Sequence, residues 1–384
     1  MVPIQYNARS LMVRKITTLA TAGGIALVVF VFAGALMFNA GVTHALSTSG
    51  SPDTAIILRK GSDAELSSAI GNDYLGLFRG PAQVSQAGGM VGEIIVVITA
   101  DHADGSGVSN VLVRGTPANG IAFRPEARIT RGRAPKPGTN EAIVGQSIAG
   151  RFAGMAIGGT INLKRNSPLT IVGEFTAGGS TYDSEVWADL DYVRNSLGRQ
   201  AAVSSARVRL NSAADFEGYR QLIETDKRFA MKVMRETDYY EKQSQQTAGL
   251  FTVMGLALAI MTSIAAMIGA AITMNGAIAH RTREIGTLRA LGFSRGAVLS
   301  SFLLEALLLA LIGGVIGSIA VVSLSLVSVP LINFATFSEI VIRFHATPSV
   351  FIKALIFSGV MGLLGGLAPA IRASRVTPVE AMRG

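Results

Sequence analysis

Apolar residues along this 384-residue chain gather in four long runs separated by polar sequence. They predict membrane-crossing helices over 16–40, 247–278, 299–327 and 350–370, because about 20 apolar residues in helical form span a bilayer. The interval 41–246 has a different rhythm. Residues 54–58 read as a strand, Ser62 with Glu65 as a capping-box start of a helix to about Leu77, and 91–99 as a second strand. The pattern returns with a strand at 206–210, Ser212 and Asp215 opening a helix to about Asp226, and a strand at 231–235. Between the copies, 101–203 is rich in Gly, Pro and short β-like runs (NVLVRG, EAIVGQ, GTINLK, LTIVGEF), which predicts an inserted β-rich lobe. Residues 238–246 are polar but helix-compatible, and predict a stalk that continues the second span. The expected fold is a membrane protein with four transmembrane α-helices and a large α/β (α+β) domain of two lobes between the first two.

Charge gives this pattern an orientation. Residues 1–15, 279–298 and 371–384 hold 10 Lys/Arg against 2 Asp/Glu, a net +8, whereas 41–246 holds 22 against 21. Lys and Arg mark cytoplasmic loops, so both termini and 279–298 are assigned to the cytoplasm. Residues 41–246 and the shorter loop 328–349 are assigned outside. Nearly all of the +9 is therefore a topology signal, not a nucleic-acid footprint. Segment 1–15 reads as an interfacial helix, with Ile4, Ala8 and Leu11 at helical spacing and Arg9, Arg14 and Lys15 available to lipid phosphates. The first span reads as an uncleaved anchor, since its apolar core is long for a signal peptide and no small-x-small site follows. With no cysteine, the outer domain must fold without disulfides.

The cytoplasmic loop HRTREIGTLRALGFSRGAV, 280–298, has Ile285, Leu288 and Leu291 within one helical arc and Gly292 placed to end the helix. It suits docking to a soluble partner; the plainer reading is a solvated loop that obeys the positive-inside rule. Glu305, about six residues inside the third span, needs a partner there, expected to be a nearby arginine or backbone group. Gly313 with Gly317, and Gly362 with Gly366, are small residues at intervals that let helices pack closely. Chemistry is sparse. The sequence holds no phosphate-binding Gly-x-x-x-x-Gly-Lys-Ser/Thr loop and no zinc-ligand spacing. Asp183, Glu185, Asp189 and Asp191 read as a solvated strand–helix corner, and Trp187 as core.

The segments RTREIGTLRALGFSRGAV and GGLAPAIRASRVTPVEAMRG, with a large domain between spans one and two, resemble the MacB/FtsX/LolC-type ABC-transporter permeases. The fragments GRAPKPGTNEAIVGQSIAGRF, IGGTINL and TIVGEF resemble that family's periplasmic core domain. The resemblance covers the whole chain and implies a non-catalytic permease subunit of a bacterial inner membrane, multi-pass, with 41–246 periplasmic. It implies a homodimer, each copy receiving a cytoplasmic ABC ATPase that binds ATP and Mg, with no cofactor in this chain. Unlike the fused macrolide exporters the chain shows no ATPase domain, so hydrolysis is expected in trans. Arg281, Glu284, Ile285, Gly286, Leu288, Arg289, Leu291 and Gly292 match the family's coupling helix. Arg372, Arg375, Pro378, Glu380 and Arg383 match its C-terminal cytoplasmic contact. The implied action is mechanotransmission: ATP hydrolysis moves the stalk and periplasmic domain to export or extract lipids, lipoproteins, drugs or peptides, with an adaptor and outer-membrane channel as further partners. The alternative is a regulator that activates an envelope enzyme such as a peptidoglycan hydrolase. A membrane-anchored enzyme without a motor leaves the basic loop unexplained.

Overall fold

The computed structural model describes residues 15–377 other than Gly88. The expected interfacial helix, but for Lys15, and the expected contacts Pro378, Glu380 and Arg383 lie outside the described residues. In chain order the helices are α1 (Lys15–Ser47), α2 (Asn72–Arg79), α3 (Gly120–Phe123), α4 (Leu190–Leu197), α5 (Phe216–Thr225), α6 (Glu236–His280), α7 (Thr282–Ala290), α8 (Arg295–Val321) and α9 (Pro348–Arg375). Among the described residues α1, α6, α8 and α9 are long and apolar enough to cross a membrane. The chain divides into a helical unit (1–40, 250–327, 344–384) and an α/β unit (41–249, 328–343).

In the helical unit, close approach of backbones is the organising feature. A Cβ on Gly313 would lie 2.7 Å from the Ala22 carbonyl oxygen, and one on Gly317 2.5 Å from that of Ala26. These two glycines seat α8 against α1. Gly362 and Gly366 do the same for α9 against α8: added Cβ atoms would meet those of Ala310 and Ala306 at 2.2 and 2.5 Å. Between them Ser358 donates its hydroxyl hydrogen to the Ala310 carbonyl. Ile25, Val29, Ala33 and Met37 of α1 complete the packed core with Ala354 and Met361 of α9. Lipid tails are as apolar as the side chains, so contact area rather than water exclusion holds such helices together.

The α/β unit is built on a ten-stranded sheet. Its strands are β1 (Thr54–Arg59), β2 (Ile70–Gly71, outside the main sheet), β3 (Met90–Asp101), β4 (Val108–Thr116), β5 (Arg128–Gly132), β6 (Glu141–Gly145), β7 (Thr160–Lys164), β8 (Ser167–Thr176), β9 (Glu185–Asp189), β10 (Ala202–Val203, paired with β2), β11 (Ser205–Arg209) and β12 (Met231–Arg235). The order is β12-β1-β11-β3-β4-β9-β6-β8-β5, with β7 on β8. Only the β4–β9 and β6–β8 ladders are parallel. The long β3 pairs with β11 through 90–93 and with β4 through 94–101, so the two lobes share one sheet. One face packs an apolar core that includes Ile57, Ile94, Val113, Val144, Val186, Val208 and, from α5, Tyr219 and Ile223.

One local expectation is corrected. The helix expected from Ser62 begins only at Asn72; Glu65 lies in a short 3₁₀ turn, where burial overrides its capping-box pattern. The outer loop 328–349 contains a hairpin, β13 (Ser328–Ile332) and β14 (Glu339–Arg343), that belongs to the α/β unit. Arg151 donates to Glu339 at 2.8 Å, and the Val341 N–H donates to Ser184 at 3.0 Å.

Replacing Gly317 by Val should force α8 away from α1 and cost roughly 1–3 kcal/mol by overpacking. The same change at Gly276, where an added Cβ meets nothing within 4 Å, should leave stability near that of the native protein. Thermal unfolding of the two variants in detergent compares them directly, and equal midpoints would contradict the packing assigned to Gly317.

Candidate coupling site

The polar loop between α6 and α8 folds as the short helix α7. Gly292 adopts φ +92°, which only glycine takes without strain, and ends the helix in a Schellman turn. Its N–H donates to Arg289 O at 3.2 Å and the Phe293 N–H donates to Leu288 O at 3.2 Å. Ser294 then caps α8, its hydroxyl oxygen accepting from the Ala297 N–H at 3.2 Å.

The inner side of α7 is fixed. Ile285 is buried among Ile278, Val298, Phe302, Ala370 and Ala373, and Gly286 is buried beside it. Arg281 is buried as well. It donates to Glu305 at 3.1 Å and to Glu284 at 3.0 Å, with its guanidinium 5.9 Å from the Phe302 ring centre. The carboxylate inside the third apolar run thus finds its cation on the loop, which ties α7 to α8 and spares an isolated charge in an apolar setting.

The outer side is open. Arg283, Glu284, Thr287 and Leu291 are exposed at helical spacing, and Leu291 shows 73% of its surface. Leu288 is half-buried, as is Arg289, which donates to Phe293 O at 3.0 Å. Arg372 and Arg375 are exposed in the last turn of α9, where cations favour the free carbonyls. Of the expected contact residues, Glu284 and Leu291 face outward, while Arg281, Ile285 and Gly286 hold the helix in place.

The α/β unit holds a second polar cluster that the sequence reading did not single out. Side chains alternate along a strand, so the face opposite the apolar core receives Glu93 from β3, Arg114 from β4, Glu185 and Trp187 from β9, and Arg207 from β11. All five are buried. Arg114 grips Glu185 through Nε and Nη2, each at 2.7 Å, and reaches Glu65 at 3.2 Å and Glu93 at 3.1 Å. Arg207 donates to Glu65 and Glu93 at 2.8 Å and to Glu236 at 2.7 Å. Arg124 holds Glu93 from the other side at 2.7 Å. The Trp187 ring N–H donates to Glu185 at 2.8 Å.

Glu185 is thereby corrected from a solvated corner residue to a buried ion. Asp183 is buried too, accepting backbone N–H bonds from Ala177 and Gly179. Burial alone would raise the Glu93 carboxyl, but the guanidiniums of Arg124, Arg114 and Arg207 outweigh it and hold it at about 2. Glu65 is likewise held well below the usual carboxylate range, the pull of Arg114 and Arg207 exceeding the opposing effect of burial.

Among the described residues no group of His, Cys, Asp and Glu is placed to hold a metal ion. Four membrane-crossing helices, an α/β unit between them and a braced amphipathic loop define a multi-pass membrane protein with a large external domain. Comparison with known proteins gives the family. The MacB-like periplasmic core domain matches residues 16–226, and the FtsX-like permease C-terminal region matches 256–378. The chain is 26% identical over 236 residues to the macrolide export ATP-binding/permease protein MacB of Neisseria gonorrhoeae, a match over 59% of this chain and 35% of that one. It is 29% identical over 237 residues to the protein of that name from Hahella chejuensis, over 58% of this chain and 34% of that one. The match thus spans about a third of these relatives' length. A solved structure, the periplasmic region of MacB from Actinobacillus actinomycetemcomitans, gives a TM-score of 0.37 at 12% identity, over 50% of this chain and 92% of that one. The chain belongs to the MacB/FtsX family of ABC-transporter permeases, and it is an inner-membrane, multi-pass protein whose α/β unit is periplasmic.

The buried cluster makes stability depend on pH with a definite sign. Glu65 and Glu93 are depressed in the folded state from an ordinary value of 4.5. Their contribution is complete above that value and is lost as pH falls toward about 2, because the unfolded chain then binds more protons. The lone tryptophan, Trp187, lies inside the cluster and reports on it. The urea midpoint followed by its fluorescence should be level from pH 7 to 5 and fall steadily below 4.5. A midpoint unchanged down to pH 3 would contradict the charge assignment.

Proposed function

We propose that this permease couples ATP hydrolysis by a separate cytoplasmic ATPase to movement of its periplasmic domain, and so moves hydrophobic or amphipathic cargo outside the membrane. The observation that carries this reading is the unbroken helix α6, which runs from Glu236 in the α/β unit to His280 beside α7. A continuous helix passes displacement along its length. Among the described residues a recess of about 500 Å³ between α1 and α6 is lined mostly by apolar residues such as Ile25, Val28 and Ala266, with Thr21, Thr262 and Thr273.

In this reading both termini are cytoplasmic and α7 docks on the ATPase through Glu284, Leu291 and the neighbouring Arg283, with Arg372 and Arg375 nearby in function. Arg281, Ile285, Gly286, Leu288, Arg289 and Gly292 shape and brace the helix that makes the contact. ATP and Mg bind in that partner. The lipid-wide apolar face of α6, with Val253, Leu256, Ile260, Ile264 and Ile268 exposed, suits a second copy of the chain. Drugs, lipids, lipoproteins and peptides all fit the cargo class, and an adaptor with an outer-membrane channel would carry cargo onward.

Leu291→Asp should set an unpaired charge into the ATPase contact and weaken it by several kcal/mol, on the order of a hot-spot loss. Co-purification with the ATPase should fail while the permease still folds; an intact complex with full stimulated hydrolysis would remove α7 from the interface.

The motor itself is open to a second test. The chain has no cysteine, so one introduced at Gln245, exposed on α6, can be joined only to its copy across a dimer. Oxidation should stop cargo handling with the ATPase still bound, and reductant should restore it. Full transport by the cross-linked dimer would rule out stalk movement as the mechanism.

A further inference from the structure

The lower turns of α6 meet the α/β unit through a stripe that is polar. Glu236, Tyr239, Tyr240, Gln243, Ser244 and Thr247 are all buried, at spacings of three and four that place them on one helical face. Glu236, Tyr239, Tyr240 and Gln243 have specific partners. Glu236 accepts from Arg207 at 2.7 Å and from the Ser51 N–H at 3.1 Å. The Tyr239 hydroxyl accepts the Glu65 N–H at 3.3 Å. The Tyr240 hydroxyl accepts from Arg207 at 3.3 Å and donates to Tyr182 at 2.8 Å. Gln243 accepts from Asn333 of the β13–β14 hairpin at 3.3 Å. An apolar seam tolerates sliding and rotation, because dispersion is non-directional. A seam of buried hydrogen bonds does not, because any other register leaves buried groups unpaired.

We propose that Arg207 is a positioning residue that, with this stripe, keys α6 to the sheet in one rotation and one height. Its use in transmitting force rests on the mechanical reading above; the joint itself does not. The charges show why the joint can be tested without wrecking the domain. On the sheet side Glu65, Glu93 and Glu185 balance Arg114, Arg124 and Arg207. Glu236 is the extra carboxylate, and it sits in the first turn of α6, where the positive end of the helix favours it. Neutralising the helix side therefore leaves a balanced cluster behind.

The test is a spin-label distance measurement on the full chain in lipid nanodiscs, with cysteines introduced at the exposed Lys227 on the domain and Gln245 on α6. The native background should give one narrow distance distribution for the pair within a chain. Glu236→Gln combined with Tyr239→Phe and Tyr240→Phe should broaden it at least twofold, or split it, at temperatures where Trp187 fluorescence still reports a folded domain. Glu236→Gln alone, nearly isosteric, should broaden it partway and serves if the triple variant does not fold. A distribution as narrow as the native one in the folded variants would overturn the joint. Cargo export, measured on the same proteins with the ATPase, bears separately on the mechanical reading: export that survives a loosened joint sinks that reading and leaves the joint standing.

Discussion

Charge balance on the second face of the sheet is the condition on which the α/β unit rests. A sheet with one solvated face could carry Glu93, Arg114, Glu185 and Arg207 at no cost. Here that face is covered, so every ion on it must be matched within bonding distance. Burying charges without such pairing costs several kcal/mol per ion. Arg114 and Arg207 meet the demand because a guanidinium offers five donors in a rigid fork and can serve several carboxylates at once. A lysine at either place has one centre of charge and could not span Glu65, Glu93 and a third partner. The aromatic shell follows from the same need: Trp187 and Tyr240 each bring a polar atom on an apolar body.

The helical unit solves the opposite problem. Its charges lie mostly at the ends of the membrane-crossing helices, and the tightness between those helices comes from bare backbone at Gly313, Gly317, Gly362 and Gly366. The exception is Glu305, whose partner Arg281 lies 24 positions earlier at the mouth of the loop. That pair makes α7 a braced element rather than a loose link. Its exposed side can then differ in composition from its buried side without loss of position.

Much of this was legible in the sequence for physical reasons. Run length and charge asymmetry define the membrane helices, since nothing else tolerates 20 apolar residues in a row. Glycine spacing pointed to close packing, and Gly292 to a helix end. The second sheet face was not legible. Strands such as SARVR and EVWAD alternate apolar and charged residues, which ordinarily means one dry face and one wet face. Only the three-dimensional arrangement tells that both are dry, because the base of α6, which covers the charged one, is distant in sequence. The capping-box pattern at Ser62 and Glu65 failed for the same reason: a local rule gave way to a long-range ion pair.

The β13–β14 hairpin adds a dimension of time. Ser328–Arg343 belongs to the periplasmic unit, yet it lies between α8 and α9 in the chain. A ribosome releases it only after α6, α7 and α8 have been made. The domain accordingly receives the residues that pair with Arg151 and Gln243 as its last pieces. Completion of the fold outside the membrane is thereby conditional on correct threading of two spans through it. A chain inserted with the wrong topology would strand the hairpin on the far side and leave the domain without the strands that complete it.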